Sequence, residues 1–311
     1  MTVFLFLLCA IAAILLMGGY YTYRIAFYSP KKGRDKISTF ASHKYDPYRK
    51  EINRLFCQLS DRPYEEVSIV SFDGLTLFGR YYHVKDGAPL DIGFHGYRSS
   101  ALTDFAGGSE LSFSMGHNLL LIDERAHGRS EGRTITFGIQ ERWDAEYWAR
   151  FAVERFGADV QIILYGVSMG AATVLMAAGL DLPENVKGII ADCPYSSPGD
   201  IIRKVARDMH MPDRLAWPFV KIGGRVYGGF DVDEMDAARA VKQATVPILI
   251  IHGESDSFVP CEMSDIAAEN PALITRYTFP GADHGFSYLV DTPRYKEIVT
   301  EFAEKALAPK A

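Results

Sequence analysis

The sequence predicts an α/β domain: a mostly parallel central sheet with helices on both faces and a helical lid insertion, preceded by an N-terminal transmembrane helix. Three observations predict it. Short, nearly continuous apolar runs alternate with segments of helical period from about residue 66 onward, the pattern of a parallel sheet buried on both faces. About fifty residues near 193–240 break that rhythm and are rich in aromatic and Met side chains, a size loops reach when they carry structure of their own. Ahead of all this, no charge appears before Arg24.

Residues 1–23 form the anchor. As a helix, 2–23 would rise roughly 33 Å, enough for a hydrocarbon core of about 30 Å. Tyr20, Tyr21 and Tyr23 suit the headgroup level. A cleaved signal would need a basic residue ahead of a shorter apolar run and small residues just after it, whereas here Ala10 and Ala12 fall mid-run. Arg24, Lys31, Lys32, Arg34 and Lys36 all follow the span, so the positive-inside rule places the following domain in the cytoplasm. An exported, anchored domain, or one secreted after signal cleavage, is the alternative.

Residues 24–62 read as a juxtamembrane connector with a short helix over 47–59, where Ile52, Leu55, Phe56 and Leu59 have helical spacing. The domain proper is 63–311. Asp73-Gly74 between two apolar-alternating runs is a hairpin signal. Strands are then expected over 89–94, 118–122, 160–165, 186–191, 246–251 and 274–279, and helices over 101–115, 140–156, 169–180, 261–269 and 293–305. With 23% charged residues and a net charge of -6, no polyanion-binding surface is indicated and nucleic acid is set aside. Cys9, Cys57, Cys193 and Cys261 suggest neither zinc nor a disulfide framework.

The chemistry centres on the run from Ile162 to Ala172, where an apolar strand meets Gly166-Val167-Ser168-Met169-Gly170 and then an Ala-rich helix. Gly-x-Ser-x-Gly at a sharp strand-to-helix turn exposes the hydroxyl of Ser168 at a helix N-terminus, with the Met169 NH aimed at developing negative charge. A serine hydroxyl also needs a base and an orienting carboxylate. His252-Gly253-Glu254-Ser255-Asp256 and Gly281-Ala282-Asp283-His284-Gly285 each follow a strand, at the edge where parallel sheets bind ligands. His284, in a loop near the C-terminus bounded by Gly281 and Gly285, is the expected base; Glu254 and Asp256 compete as the acid. His43, His83, His117 and His210 occupy no comparable loop. Asp123, Glu124, His127 and Glu131 could be drawn as a metal site, but that reading is rejected, and the sequence indicates no metal and no cofactor.

Over residues 66–306 the sequence resembles the α/β-hydrolase superfamily, and within it the lipase-like, serine aminopeptidase-like branch. His95-Gly96-Tyr97, the run from Asp123 to Ser130, the serine elbow, and the acid and histidine loops carry the resemblance. It implies the chain order Ser168, Asp256, His284 for a catalytic triad, with H-G-x-x-D-x-x-V-P selecting Asp256 over Glu254. It also implies that the Tyr97 NH joins that of Met169 in an oxyanion hole, and that the Asp123 run shapes the loop beside the site. The expected activity is hydrolysis of carboxylic esters or related acyl bonds of a small, hydrophobic acyl substrate through an acyl-enzyme. An aminopeptidase or thioester hydrolase with the same triad is the alternative, and a non-catalytic membrane scaffold is disfavoured by the filled triad. An aminopeptidase would need a lid carboxylate for the substrate amine, for which Asp200, Asp208, Asp213, Asp231, Asp233 and Glu234 are available.

Overall fold

The structure is a computed structural model that describes residues 2–31 and 43–309; Lys32, Arg34 and Lys36 of the basic cluster lie outside them. The apolar helix α1 (Thr2–Thr22) is exposed along most of its length and is long and apolar enough to cross a membrane or serve as a signal helix. It continues into a π-helical turn, Tyr23–Phe27. Phe27 is fully buried, edge-on to Phe137 and Phe230, and the Ser29 NH donates to the Arg133 carbonyl. The first residues of the 24–62 segment are therefore packed into the domain. Helix α2 (Arg49–Ser60) follows, burying Ile52, Leu55 and Leu59.

The hairpin of β1 (Glu65–Val70) and β2 (Thr76–Tyr82) turns through Gly74, whose φ of +86° favours glycine. Next come β3 (Leu90–Phe94), α3 (Ala101–Asp104), α4 (Ala106–Ser114), β4 (Asn118–Ile122), α5 (Glu141–Phe156), β5 (Ile162–Val167), α6 (Met169–Ala177) and β6 (Val186–Asp192). The insertion after β6 comprises α7 (Pro198–Asp208), α8 (Asp213–Ile222), a π-helical turn Gly223–Gly228 and α9 (Ala237–Ala240). Strand β7 (Ile248–Gly253), a 3-10 helix Cys261–Glu269, β8 (Ile274–Phe279), α10 (Ser287–Val290) and α11 (Thr292–Leu307) complete the chain.

The strands form one eight-stranded sheet in the order β1-β2-β4-β3-β5-β6-β7-β8, antiparallel at β1/β2 and β2/β4 and parallel beyond. Alternate residues feed two cores. Ile92, Leu120, Leu164 and Ile250 pack on one face, and Leu121, Ile163, Leu249 and Ile251 on the other, which is why these strands read as nearly continuous apolar runs. The chain steps from β3 out to β4 and back across to β5, so the crevice at the C-terminal ends of β3 and β5 lies where the winding reverses, the usual ligand position in such sheets.

Two expected helices differ. The helix over 101–115 is interrupted at Phe105 (φ -100°, ψ 12°), whose buried ring packs against Tyr165 and under Gly93. The helix over 261–269 is a 3-10 helix, its Cys261 carbonyl already taken by the Ser264 hydroxyl and the Arg276 guanidinium.

Helix α6 sits hard against the end of β3: a Cβ on Gly170 would lie 1.9 Å from the Phe94 carbonyl oxygen. Gly170→Ala is therefore expected to destabilise the domain by about 2 kcal/mol, a melting point lower by about 5 °C. An unchanged melt would show that this contact does not hold α6 against β3.

Candidate active site

Ser168 occupies the turn between β5 and α6 with φ 55° and ψ -112°, a conformation that costs a non-glycine residue on the order of 1–3 kcal/mol. The turn is possible because its flanks are bare. A Cβ on Gly166 would meet the Gly170 carbonyl oxygen at 2.2 Å, and the Ser168 NH is fixed by the Asp192 carbonyl at 2.8 Å. The hydroxyl thus stands at the start of α6, where the Met169 NH is among those without an intrahelical acceptor.

The loops after β7 and β8 bring their acid and histidine to this hydroxyl. His284 Nε2 lies 2.9 Å from Ser168 Oγ, and His284 Nδ1 lies 2.7 Å from Asp256 Oδ2. Asp256 Oδ1 accepts from the NH groups of Phe258 at 2.9 Å and Val259 at 2.7 Å, while Oδ2 is also 3.3 Å from His252 Nε2. Burial works against the charge on Asp256, but the His252 and His284 hydrogen bonds and the Val259 NH hold its carboxyl well below the usual range. An ionised Asp256 can only accept, so Nδ1 of His284 carries the proton and Nε2 is left to accept from the serine. Glu254 stands apart, exposed and accepting from the Thr278 hydroxyl at 2.7 Å.

The loop after β3 closes the other side. Of the NH groups in residues 96–99, that of Gly96 donates to Asp104 Oδ2 at 2.6 Å, that of Arg98 to His127 Nε2 at 2.9 Å, and that of Ser99 to the Gly96 carbonyl. The Tyr97 NH has no such acceptor among the described residues. His95 is structural, its Nδ1 donating to the Gly96 carbonyl and its Nε2 accepting from the Glu124 NH. The Asp123 run holds this corner: Arg125 is buried on Asp144 and Asp73, and His127 fixes Arg98. The Tyr97 hydroxyl donates to the Ala26 carbonyl at 2.7 Å, and the Arg98 guanidinium to those of Ile25 and Tyr28, so this loop is strapped to the end of the N-terminal helix.

Ser168 and His284 open on a cavity of about 300 Å³ lined also by Phe105, Phe258, Phe286 and Leu289. Cys193, Asp256 and His284 bring three potential metal-ligand atoms within 4.8 Å of one another. Burial pushes the Cys193 thiol up, and both ring nitrogens of His284 already have partners, so the group suits proton transfer better than ligation.

A family model described as the alpha/beta hydrolase fold matches residues 93–216. An esterase of Pyrococcus furiosus, Pf2001, superposes with a TM-score of 0.63 at 22% identity, over 80% of this chain and 93% of that one. This is an α/β-hydrolase-fold protein. Along the sequence it is 24% identical to the uncharacterized protein YqkD of Bacillus subtilis (strain 168), over 94% of each chain. It is 30% identical to the thiohydrolase aneE of Aspergillus aculeatus, over 50% of this chain and 48% of that protein. Fold and relatives together support a hydrolase acting on a small molecule.

Within the hydrolase fold the structure adds residues that the sequence did not single out. His252, inside the acid loop's own motif, supports Asp256 from below, donating to the Val259 carbonyl at 2.9 Å. Asp192, ending β6, lines the cavity. It accepts from the Tyr295 hydroxyl at 2.7 Å through Oδ2, while its buried Oδ1 has no partner among the described residues. Burial raises its carboxyl from 3.8 to about 6, against the Tyr295 bond and the nearby His252 and His284.

The folded chain thus keeps a proton on Asp192 that the unfolded chain releases between pH 3.8 and about 6. Its effect on stability is absent below the lower value and grows to a loss on the order of 3 kcal/mol above the upper one. Asp192→Asn should therefore be more stable than the parent at pH 7.5 and gain less at pH 4. Urea unfolding of the detergent-solubilised protein at both pH values checks this; equal differences at the two would refute the coupling.

Proposed function

We propose that this chain is a serine hydrolase that cleaves carboxylic esters through an acyl-enzyme intermediate, with Ser168 as nucleophile, His284 as general base and acid, and Asp256 as the orienting carboxylate. One observation carries the reading: a single imidazole spans the elbow serine and a buried carboxylate, 2.9 Å from one and 2.7 Å from the other. Ser168 Oγ attacks the acyl carbon as its proton passes to His284 Nε2, and the imidazolium is balanced by Asp256. The carbonyl oxygen, now anionic, accepts from the NH groups of Tyr97 and Met169. Collapse breaks the ester bond, and His284 returns the proton to the leaving alcohol. Water, deprotonated by His284, then attacks the acyl-enzyme and frees the acid and Ser168.

The esterase name of Pf2001 and the apolar lining of the cavity agree with an ester of a hydrophobic acyl group. The thiohydrolase name of aneE favours a thioester as the second reading, since the same steps expel a thiol. The aminopeptidase alternative gains no support. None of its six lid acids lines the cavity, and Asp208, Asp213, Asp231, Asp233 and Glu234 are paired with Lys204, Arg207, Arg225, Lys221 and Arg142.

In this reading residues 1–23 are an uncleaved anchor, 24–62 the connector and 63–311 the catalytic domain with its lid near 193–240. Arg24 and Lys31 after the span support a cytoplasmic side for that domain. A fluorophosphonate probe is expected to label the purified protein once, on Ser168, and to inactivate ester hydrolysis in parallel. Labelling that persists in Ser168→Ala would refute the nucleophile.

A further inference from the structure

We propose, resting on the reading of α1 as an uncleaved anchor, that the lid is itself seated in the membrane surface: the side of α8 that carries Leu215 and Phe219, with the turn Gly223–Gly228, forms an interfacial face whose partner is the lipid headgroup layer. The lid grips α1 at close range. A Cβ on Gly18 would fall 2.2 Å from the Phe219 ring, one on Gly19 2.4 Å from Ile222 Cγ2, and one on Gly223 2.8 Å from the Gly19 carbonyl oxygen. Small residues that let backbones approach in this way are the usual means of packing helices at a membrane. The Thr22 hydroxyl donates to the Phe219 carbonyl at 2.8 Å, and the Tyr227 hydroxyl donates to the Leu16 carbonyl at 3.0 Å.

The depth of this contact follows from markers on α1 itself. Tyr20 and Tyr21, followed by the first charge at Arg24, set the headgroup level at the C-terminal end of the span. Gly18 and Gly19 lie on the bilayer side of those tyrosines. Leu16, which Tyr227 reaches, lies one helical turn deeper than Tyr20, about 6 Å along the axis. If α1 is inserted to its tyrosines, Phe219, Ile222 and Tyr227 are carried into the headgroup and upper acyl region, the depth of an interfacial helix.

The surface of the lid suits that position. Leu215 precedes Phe219 by four residues on α8 and so shares its face, and it is 70% exposed; Val226, on the following turn, is 58% exposed. Arg24, beside this face, donates to the Tyr20 hydroxyl and lies over the Tyr28 ring, with no carboxylate salt bridge among the described residues, whereas Asp231 and Asp233 are occupied by Arg225 and Lys221. The face therefore offers apolar side chains with a guanidinium held on tyrosines and not on a carboxylate beside them, which fits lipid phosphates above acyl chains.

The test uses the full chain with Cys9, Cys57 and Cys261 replaced by serine, in vesicles of phosphatidylcholine and phosphatidylglycerol. Nitroxides are placed singly through Leu215→Cys, Val226→Cys, Leu8→Cys in mid-span and Val70→Cys on the exposed hairpin edge, with retained ester hydrolysis confirming the fold. Labels at 215 and 226 are expected to lose collisions with a water-soluble nickel complex and gain collisions with oxygen, as at 8 and opposite to 70. If 8 is lipid-exposed while 215 and 226 match 70, the lid stands clear of the bilayer and the proposal fails with the anchor intact. Labels at 215 and 226 shielded from both reagents and broadened by one another would mean that a second copy covers the face, which also overturns it. A water-exposed label at 8 removes the anchor reading and this proposal together.

Discussion

Ser168→Ala is expected to lower kcat for an activated ester by on the order of 10⁴ to 10⁶, a loss of roughly 5–8 kcal/mol of transition-state stabilisation. The reason is that the attacking atom itself is removed while the acid-base pair and the NH groups remain. Any residual rate would come from water held by His284 near those NH groups, so KM should change little. Stability should not account for the loss. Ser168 sits at φ 55°, and alanine suffers the same backbone strain there. Ser168→Gly, equally without a nucleophile, should instead melt higher than Ser168→Ala, because glycine adopts that region without a Cβ penalty, a gain of about 1 kcal/mol. Steady-state kinetics with thermal melts of both variants check this. Activity of Ser168→Ala within tenfold of the parent would exclude a covalent intermediate on this residue.

The same strain explains why this part of the molecule was legible in the sequence. A turn that drives Gly166 to 2.2 Å and Gly170 to 1.9 Å of neighbouring backbone, by their imagined Cβ atoms, admits only glycine, so the need for a sharp turn is written in residue type. Strand 118–122 was legible because both faces are covered and the apolar run Leu119–Ile122 has no breaks. Where the structure departs from the pattern, the cause is a tertiary demand on one side chain. Phe105 leaves its helix to fill the space under Gly93, and nothing local signals that. The grip of Gly18 and Gly19 on Phe219, Ile222 and Gly223 joins segments some two hundred residues apart, and the glycines read locally as weak spots in a helix. Asp192 gives no sequence signal either, since its shifted carboxyl depends on the burial that β6, β7 and Tyr295 impose together. His252 could have been found, as it begins the same motif that carries Asp256, but a histidine at a strand end is uninformative until its distance to the carboxylate is known.

The choice of acid leads to the second large effect. Asp256→Asn is expected to lower kcat/KM by about 10⁴ while preserving the fold, by reversing the tautomer of His284. The backbone decides how the amide must sit. Oδ1 of Asp256 accepts from the NH groups of both Phe258 and Val259, so an asparagine keeps its carbonyl oxygen there and turns its NH2 toward His284 Nδ1. That nitrogen must then accept, which moves the ring proton to Nε2, where it faces the Ser168 hydroxyl and can no longer receive its proton. The alternative flip would save the tautomer only by setting an NH2 against two backbone NH groups, leaving buried donors without acceptors at a cost of about 1–3 kcal/mol each. His252 Nε2, 3.3 Å from Oδ2, keeps the Val259 carbonyl at 2.9 Å as an acceptor when the NH2 turns to that side. Glu254→Gln is the matched control: its carboxylate accepts from the Thr278 hydroxyl at the surface, and activity within about twofold is expected because surface substitutions of this kind are nearly neutral. Should Glu254→Gln carry the large loss and Asp256→Asn remain active, the orienting acid would be Glu254, and the loop after β7 would have to rearrange to bring it to His284.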